Sequence, residues 1–298
     1  MGQYSIKEVE TLSGVKAHTL RIWEQRYDFL KPERTDTNIR YYNDEQLKLI
    51  LNISTLSRSG LRISKIACMA EDELRREVQR LSTDCCEPNA LADAFLQSMI
   101  DFDEARFEKT LSCSIMKLGF ERTISELIFP LLSRTGVLWA TGAIKPAQEH
   151  FMSNLVRRKI CSAIDNQYVQ LSDKSKTFVL FLPEGEVHEL VLLYTEYLLR
   201  QRNHKVVYIG NSVPFDDLPS LCQSIQPDYL VSYFSMPISE MPLDEYLQKL
   251  SALFKEHKIL VGGKLFDTYP QFQLPVNITR VKCINTLLHA INEASLAN

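Results

Sequence analysis

No apolar run in the 298-residue sequence approaches the roughly 20 residues that a membrane-spanning helix needs, and its start lacks a signal peptide's basic-then-apolar order. The seven cysteines include no C-x-x-C pair and have no histidine cluster near them, which argues against a zinc site or a disulfide framework. We therefore expect a cytoplasmic protein with reduced thiols and no membrane partner.

Neither sign of charge dominates the sequence: 34 Lys and Arg residues stand against 37 Asp and Glu residues, for a net charge of −3. The distribution is uneven, because residues 1–65 carry +3 and the rest of the chain carries −6. A mildly basic first segment is typical of a nucleic-acid-binding module. The length favours two or three compact domains.

Residues 1–75 have the pattern of a winged helix-turn-helix. Ser5 and Glu8 have the spacing of a capping box, and a second helix is expected over Lys16–Tyr27. The polar stretch Pro32–Tyr42, with a turn in its middle, predicts a hairpin that would form the wing. A third helix is expected from about residue 44 to residue 59.

Polar side chains on the outer side of the second helix and in the hairpin favour contact with DNA. A recognition helix needs exposed first turns whose side chains reach phosphates and base edges, and donors in a wing contact phosphates. For scattered basic residues alone, a solvated face of a small helical domain is the alternative. The candidate DNA-binding residues are Lys16, His18, Thr19, Arg21, Arg26, Arg34, Asn38, Arg40 and Tyr41.

Residues 88–172 predict a four-helix bundle. Apolar side chains recur there at helical spacing, and one long helix, Phe120–Trp139, is expected to bend at Pro130. Pro146 is expected to open the next helix. The join near residues 83–88 is the expected linker to the first domain.

Residues 175–298 alternate short β-rich runs with amphipathic helices, which predicts a flavodoxin-like, doubly wound parallel sheet. The strands are expected over Phe178–Leu182, Lys205–Ile209, Tyr229–Phe234, Lys258–Val261 and Ile278–Lys282. Ligands of such sheets lie beyond the carboxyl ends of the strands, so the loops after the first four strands are the candidate binding loops.

The series His18–Tyr27, Leu30-x-Pro32-x-Arg34 and Asn38-x-Arg40-x-Tyr42 closely resembles the winged helix of the MerR family. The resemblance covers about residues 3–70. It implies a homodimer, or a higher homo-oligomer, on a near-palindromic operator in double-stranded DNA, with one recognition helix in each half-site.

A helical bundle followed by a doubly wound sheet resembles the cobalamin-dependent branch of that family, the CarH/LitR-type repressors. Trp139, nine intervening residues and then Glu149-His150 match the W-x9-EH signature of that branch. The resemblance implies that Trp139 covers the upper face of the corrin and that Glu149 and His150 hydrogen-bond an upper axial group. The alternatives are a core tryptophan and a solvated helix start. Ala140 stands where photoreceptor members have a histidine, so that form of light switching is not expected.

Glu186-x-His188-x-x-Val191, in the loop after the first strand, is similar to the cobalamin-binding motif D/E-x-H-x-x-G. The resemblance implies that His188 ligates the cobalt of adenosylcobalamin or methylcobalamin from below, with Glu186 accepting from the other ring nitrogen. Val191 replaces the glycine of the motif, so its side chain is expected to crowd the nucleotide tail. The other cofactor-binding residues that the resemblance implies are Gly210, Ser232, Gly262 and Gly263.

Together these patterns predict a DNA-binding transcriptional regulator, expected to be a repressor, that senses cobalamin and is not an enzyme. The sequence has neither a phosphate-binding G-x-G-x-x-G nor a nucleophile elbow. Two alternatives stay open. One is the same regulator with a degenerate cobalamin site that senses another ligand or a protein partner, and the other is a corrinoid carrier or methyl-transfer protein.

Overall fold

The computed structural model describes residues 2–27, 29–35, 37–84, 88–140, 144–238, 241–268 and 273–296, which form two compact units, Met1–Leu155 and Val156–Asn298. The first unit is helical apart from one small antiparallel sheet, and the second is a parallel sheet with helices. This confirms the predicted fold class. No helix within the described ranges is long and apolar enough to cross a bilayer.

The first unit begins with a winged helix-turn-helix. Its elements are β1 (Tyr4–Ser5), α1 (Ile6–Ser13), α2 (Ala17–Arg26), β2 (Glu33–Arg34), β3 (Arg40–Tyr42) and α3 (Asp44–Arg58). Ser5 and Glu8 exchange hydrogen bonds at the start of α1, as Asn43 and Gln46 do at the start of α3, so both helices open with a capping box. The three strands pair antiparallel in the order β1-β3-β2, which confirms the predicted hairpin.

Helices make up the rest of the first unit. They are α4 (Ile63–Ile66), α5 (Glu71–Asp84), α6 (Pro88–Asp101), α7 (Glu104–Leu118), α8 (Phe120–Arg122), α9 (Phe129–Ala140) and the first half of α10 (Pro146–Asp165), which continues into the second unit. The predicted bundle helices correspond to α6, α7, the stretch from α8 to α9, and α10. No helix is predicted from the sequence at α5. Its one signal there is an acidic first turn followed by Leu74 and Val78, both buried, at helical spacing.

A π-helical turn over Thr123–Ile128 joins α8 to α9, just before the bend expected at Pro130. Proline lacks an N–H, and its ring clashes with the carbonyl group of residue i−4, which here is Glu126. The wider π-helical turn accommodates both effects, so a single helical stretch runs from α8 through α9.

The second unit is a five-stranded parallel sheet with helices. The strands are β4 (Thr177–Pro183), β5 (Lys205–Val213), β6 (Tyr229–Tyr233), β7 (Lys258–Gly262) and β8 (Ile278–Val281). The helices are α11 (Leu190–Gln201), α12 (Leu218–Ile225), α13 (Leu243–Leu253), α14 (Leu265–Thr268) and α15 (Ile284–Leu296). All five predicted strands are confirmed to within a few residues at their ends.

The strand order is β5-β4-β6-β7-β8. The chain adds β5 on one side of β4 and then β6, β7 and β8 on the other side, so the switch point lies between β4 and β6. Ligands of doubly wound sheets bind at such a switch point, outside the carboxyl ends of the strands. The loops that follow β4 and β6, residues 184–189 and 234–238, meet at that point. Helix α11 begins only at Leu190, because residues 184–189 belong to the loop after β4.

Candidate functional site

The recognition helix α2 exposes most of the side chains expected to contact DNA. Lys16 is the N-cap residue, and its Nζ lies 3.0 Å from Oε1 of Glu10. Leu20 and Trp23 are buried on the opposite side of the helix, which fixes its outward face. The residues of that face are His18, Arg21 and Arg26, which are exposed, and Thr19, which is half-buried.

The candidate residues at the end of the hairpin contact one another. Arg34 Nη1 donates to Oδ1 of Asn38 at 2.6 Å, and Asn38 has a φ of 62°, the left-handed conformation typical of a turn. The Tyr41 hydroxyl donates to Oε2 of Glu33 on the neighbouring strand at 2.5 Å. These contacts shape the wing before any DNA is bound.

Glu24 joins the recognition helix to the wing. This contact is not predicted from the sequence. The Glu24 carboxylate accepts from Arg40 Nε at 2.9 Å and from the hydroxyl of Tyr42. Tyr42 is fully buried, and burial together with the hydrogen bond to Glu24 raises the pKa of its phenol. Arg40 therefore positions the wing against α2, in addition to the phosphate contact expected of it.

A buried carboxylate joins the winged helix to the bundle within the first unit. Asp93 of α6 accepts from Thr55 Oγ1 and from Arg58 Nη2 of α3, each at 3.0 Å. Burial raises the pKa of Asp93 to about 6, and the Arg58 guanidinium only partly offsets that effect. Nothing in the sequence pattern marks this contact.

Two further polar pairs join the same helices. Gln97 donates to Asn52 at 2.7 Å, and Lys48 donates to Asp101 at 2.6 Å. Both pairs line a cleft of about 660 Å³. The winged helix and the first bundle helix therefore share polar contacts as well as apolar ones.

The bundle residues expected above a corrin lie near the junction of α9 and α10. Glu149 and His150 belong to the first turns of α10, and Oε2 of Glu149 lies 2.9 Å from Nδ1 of His150, whose side chain is exposed. The side chains of Trp139 and Ala140 lie outside the described residues, so their expected roles stay predictions.

The loop after β4 brings Glu186 and His188 together at the switch point. Glu186 Oε1 lies 2.6 Å from His188 Nδ1 and accepts from the His188 backbone N–H at 3.0 Å. Its Oε2 accepts from the backbone N–H groups of Ser235 and Met236, at 2.6 and 3.0 Å. One carboxylate therefore holds the loops after β4 and β6 together and orients the imidazole.

Glu186 remains ionised at any physiological pH. Burial raises its pKa, but the hydrogen bonds from His188, Ser235 and Met236 outweigh burial and lower the pKa to about 2. The Glu186 side chain is 3% exposed and that of His188 is 56% exposed. With Nδ1 directed to the carboxylate, Nε2 is the nitrogen that a metal would use.

Three exposed apolar side chains belong to the loops after β4 and β6 and to the first turn of α11. Val187, Val191 and Met236 are all exposed, although apolar side chains of this size usually become buried. A flat, largely apolar ring carrying an axial metal would cover them. The edge around His188 therefore has residues that would fit a corrin ring.

Two of the residues expected to contact a nucleotide tail, Gly262 and Gly263, lie against Tyr233 and Phe234. A Cβ on Gly262 would lie 2.6 Å from Tyr233 Cε1, and a Cβ on Gly263 would lie 2.1 Å from the Phe234 carbonyl oxygen. Both glycines thus make room for the chain's own strand β6. Ser232 is buried, and its Oγ has no hydrogen-bond partner in the described part of the chain. Gly210 has a φ of 101°, and a Cβ there would lie 3.6 Å from Tyr208 Cε1, an ordinary van der Waals contact.

Comparison with known proteins agrees with both parts of this description. Residues 4–73 match the MerR HTH family of regulatory proteins, and residues 91–161 match the B12 binding domain. The HTH-type transcriptional repressor CarH of Myxococcus xanthus is 28% identical over 267 residues, covering 87% of this chain and 88% of CarH. CarA, a second repressor of that organism, is 24% identical and covers 87% of this chain and 85% of its own length.

A solved structure, that of the monomethylamine corrinoid protein of Methanosarcina barkeri, shares the fold. Its TM-score is 0.55 at 13% identity, covering 70% of this chain and all of that protein. The resemblance drawn from His18–Tyr27, the hairpin and the W-x9-EH spacing is confirmed by the family matches. The chain combines a winged helix-turn-helix that matches the MerR HTH family with a domain that matches the B12 binding family.

Proposed function

We propose that this protein is a transcriptional repressor whose DNA binding responds to a corrinoid of the cobalamin class. The observation that carries the proposal is the pairing of Glu186 with His188 at the switch point of the sheet, at 2.6 Å. A buried carboxylate that orients an exposed imidazole is the arrangement of a metal-ligating histidine.

The residues of the second unit have distinct roles in this proposal. His188 would hold cobalt through Nε2, and Glu186 would fix the ring orientation and the tautomer. Val187, Val191 and Met236 would lie against the corrin. The bound group would supply a metal centre with an exchangeable upper ligand, which serves as the chemical signal.

The upper face of the corrin is assigned to the bundle. Trp139, Glu149 and His150 keep the roles that the sequence implies for them, and the domain limits 1–75, 88–172 and 175–298 are part of the proposal. Ala140 provides no imidazole, so illumination is not expected to produce a second histidine ligand there. The specific upper ligand, adenosyl or methyl, is left to experiment.

On the DNA side, the protein would act as a homodimer or a higher homo-oligomer on a near-palindromic operator. One recognition helix spans a single half-site, so two copies related by a two-fold axis are needed. Arg21, exposed on α2, and the wing residue Arg34 would contact DNA. Sedimentation together with footprinting tests this point, and a monomer that protects one unrepeated half-site would contradict it.

The alternative of a corrinoid carrier in methyl transfer is less well supported. The monomethylamine corrinoid protein shares the fold at low identity, whereas the relatives that span most of the chain are named transcriptional repressors. The DNA-binding domain would have no purpose in a carrier. We therefore retain the predictions that the protein is not an enzyme and that it acts in the cytoplasm.

The test is retention of a corrinoid by the full-length chain. The chain is mixed with hydroxocobalamin or, separately, with diaquocobinamide, then passed through gel filtration, and its visible spectrum is recorded. Wild type should retain at least one of them with a shifted spectrum, and His188→Ala should lose that shift. His257→Ala, at a residue that directly precedes β7 and so lies at the amino ends of the strands, is the control. Loss of both corrinoids from wild type would instead favour the degenerate-site alternative.

A further inference from the structure

The interior of the second unit behind the His188 edge is filled by Tyr233. Its hydroxyl lies 3.0 Å from Oγ1 of Thr195 on α11, and its ring lies over Gly262 on the neighbouring strand. Tyr233 is 5% exposed and Thr195 is fully buried. The space between α11 and the sheet at β6 and β7 is therefore occupied by a side chain that is hydrogen-bonded in place.

Strand geometry explains why Tyr233 points toward α11. Successive side chains of a strand point to opposite faces, so Tyr229, Val231 and Tyr233 share one face of β6. Leu230 and Phe234 lie on the other face, in the core that contains residues of α12 and α13. Ser232 belongs with Leu230 and Phe234, on the side away from Tyr233.

Val191 narrows the outer end of the space between α11 and the sheet. Val191 and Thr195 lie one turn apart on α11, and Thr195 Oγ1 donates to the Val191 carbonyl at 2.8 Å. Val191 is exposed at the surface beside His188, and Thr195 contacts Tyr233 in the interior. A group entering along this face of α11 would meet a valine side chain first and then a buried tyrosine.

We propose that Tyr233 makes the site selective for corrinoids that lack a nucleotide tail. This inference rests on the proposed corrinoid-binding function. The tail of cobalamin hangs from the same face of the ring that His188 would ligate, so ligation displaces the base and leaves it below the ring. With the interior closed by Tyr233, the displaced tail must either expel the tyrosine or lie across the exposed edge. A corrinoid that ends at the ring side chains meets neither obstacle.

The expected size of the preference follows from what expulsion disrupts. Tyr233 would lose a buried ring environment and its hydrogen bond to Thr195, which together correspond to roughly a ten-fold or greater loss in affinity for the tailed ligand. The preference for corrinoids without a tail depends on the Tyr233 side chain alone. Shortening that side chain should therefore remove the preference.

The experiment titrates the full-length chain with diaquocobinamide and with hydroxocobalamin, following the visible spectrum. Wild type should bind cobinamide at least ten-fold more tightly. Tyr233→Ala should bring the two affinities within about three-fold of each other, mainly by tightening the binding of hydroxocobalamin. Tyr233→Leu should change the ratio of the two affinities in the same direction. Because leucine preserves apolar burial, this variant keeps the test valid if Tyr233→Ala does not fold. Tyr229 is a buried tyrosine on the same face of β6. Tyr229→Leu is therefore the matched control and should keep the preference for cobinamide.

Failure of the inference can be distinguished from failure of the proposed function. Equal affinities of wild type for the two corrinoids, or a preference unchanged in both Tyr233 variants, would overturn the inference while leaving the proposed function intact. If neither wild type nor Tyr233→Ala retained either corrinoid, the proposed function would fail and the inference with it.

Discussion

The Glu186 carboxylate lies 2.6 Å from Nδ1 of His188 and at the same time accepts two backbone N–H groups from the loop after β6. The residue that orients the imidazole is therefore also the residue that fixes the two loops of the switch point. Any change at Glu186 should therefore affect ligand affinity and local structure together.

Replacing Glu186 with glutamine should weaken corrinoid binding by about 10- to 100-fold. The amide can still hydrogen-bond, but it no longer provides the charge that raises the basicity of the imidazole and fixes its tautomer. Spectral titration with diaquocobinamide measures the effect. Glu184→Gln removes a charge from an exposed residue of the same loop and should leave the affinity unchanged. Equal losses in the two variants would indicate a general effect of loop charge.

The burial of Asp93 makes the stability of the first unit depend on pH. The folded-state pKa of Asp93, about 6, lies above the ordinary value of 3.8, because burial outweighs the ion pair. The folded state therefore holds the proton more tightly than the unfolded state, and the stabilisation is present below about pH 4 and lost as pH rises through 6. Across this pH range the free energy of unfolding should fall by an amount on the order of 3 kcal/mol.

Urea unfolding of wild type and Asp93→Asn at pH 4.5 and pH 7 tests this prediction. Because asparagine does not titrate, the variant should gain stability relative to wild type between the lower and the higher pH. Asp101→Asn is the comparison, since Asp101 is a partly exposed member of a neighbouring pair. A difference between wild type and Asp93→Asn that stays constant with pH would refute the prediction.

Arg21 and Arg40 should differ in what their removal changes. Arg21 is exposed, so Arg21→Ala should reduce affinity for the operator and lower the salt slope by about one unit without changing stability. Arg40 contacts Glu24, so Arg40→Ala should in addition destabilise the wing by roughly 1 kcal/mol. Binding to a duplex selected with the wild-type chain, and thermal unfolding, measure the two effects. Arg122→Ala in the bundle is the control, and operator binding unchanged in Arg21→Ala would contradict the assignment of α2.

The sequence predicts the elements whose own side chains determine their structure. The strand Phe178–Leu182 is an uninterrupted apolar run, which a buried parallel strand requires, and the contact of Glu186 with His188 follows from their separation by one residue in a loop. The recognition helix is predictable for a similar reason, since Leu20 and Trp23 mark its buried side.

Other features depend on distances between segments, which the sequence does not contain. The polar helix α5 has few apolar residues, and its position follows from packing on α3. Glu24 matters only because the wing folds back against α2. The role of Tyr233 depends on the register of β6, which turns that side chain toward α11 and Ser232 away from it. These are tertiary effects, and only the folded structure reveals them.

The central claim is that corrinoid binding at His188 changes the affinity of the winged helix for DNA. The most direct measurement is the Kd of the full-length chain for a duplex selected with that chain, determined by fluorescence anisotropy with and without saturating diaquocobinamide. Wild type should show a change of at least five-fold, the lower end of typical coupling between sites, and His188→Ala should show none. An unchanged Kd in wild type, with the corrinoid shown by its spectrum to be bound, would contradict the claim.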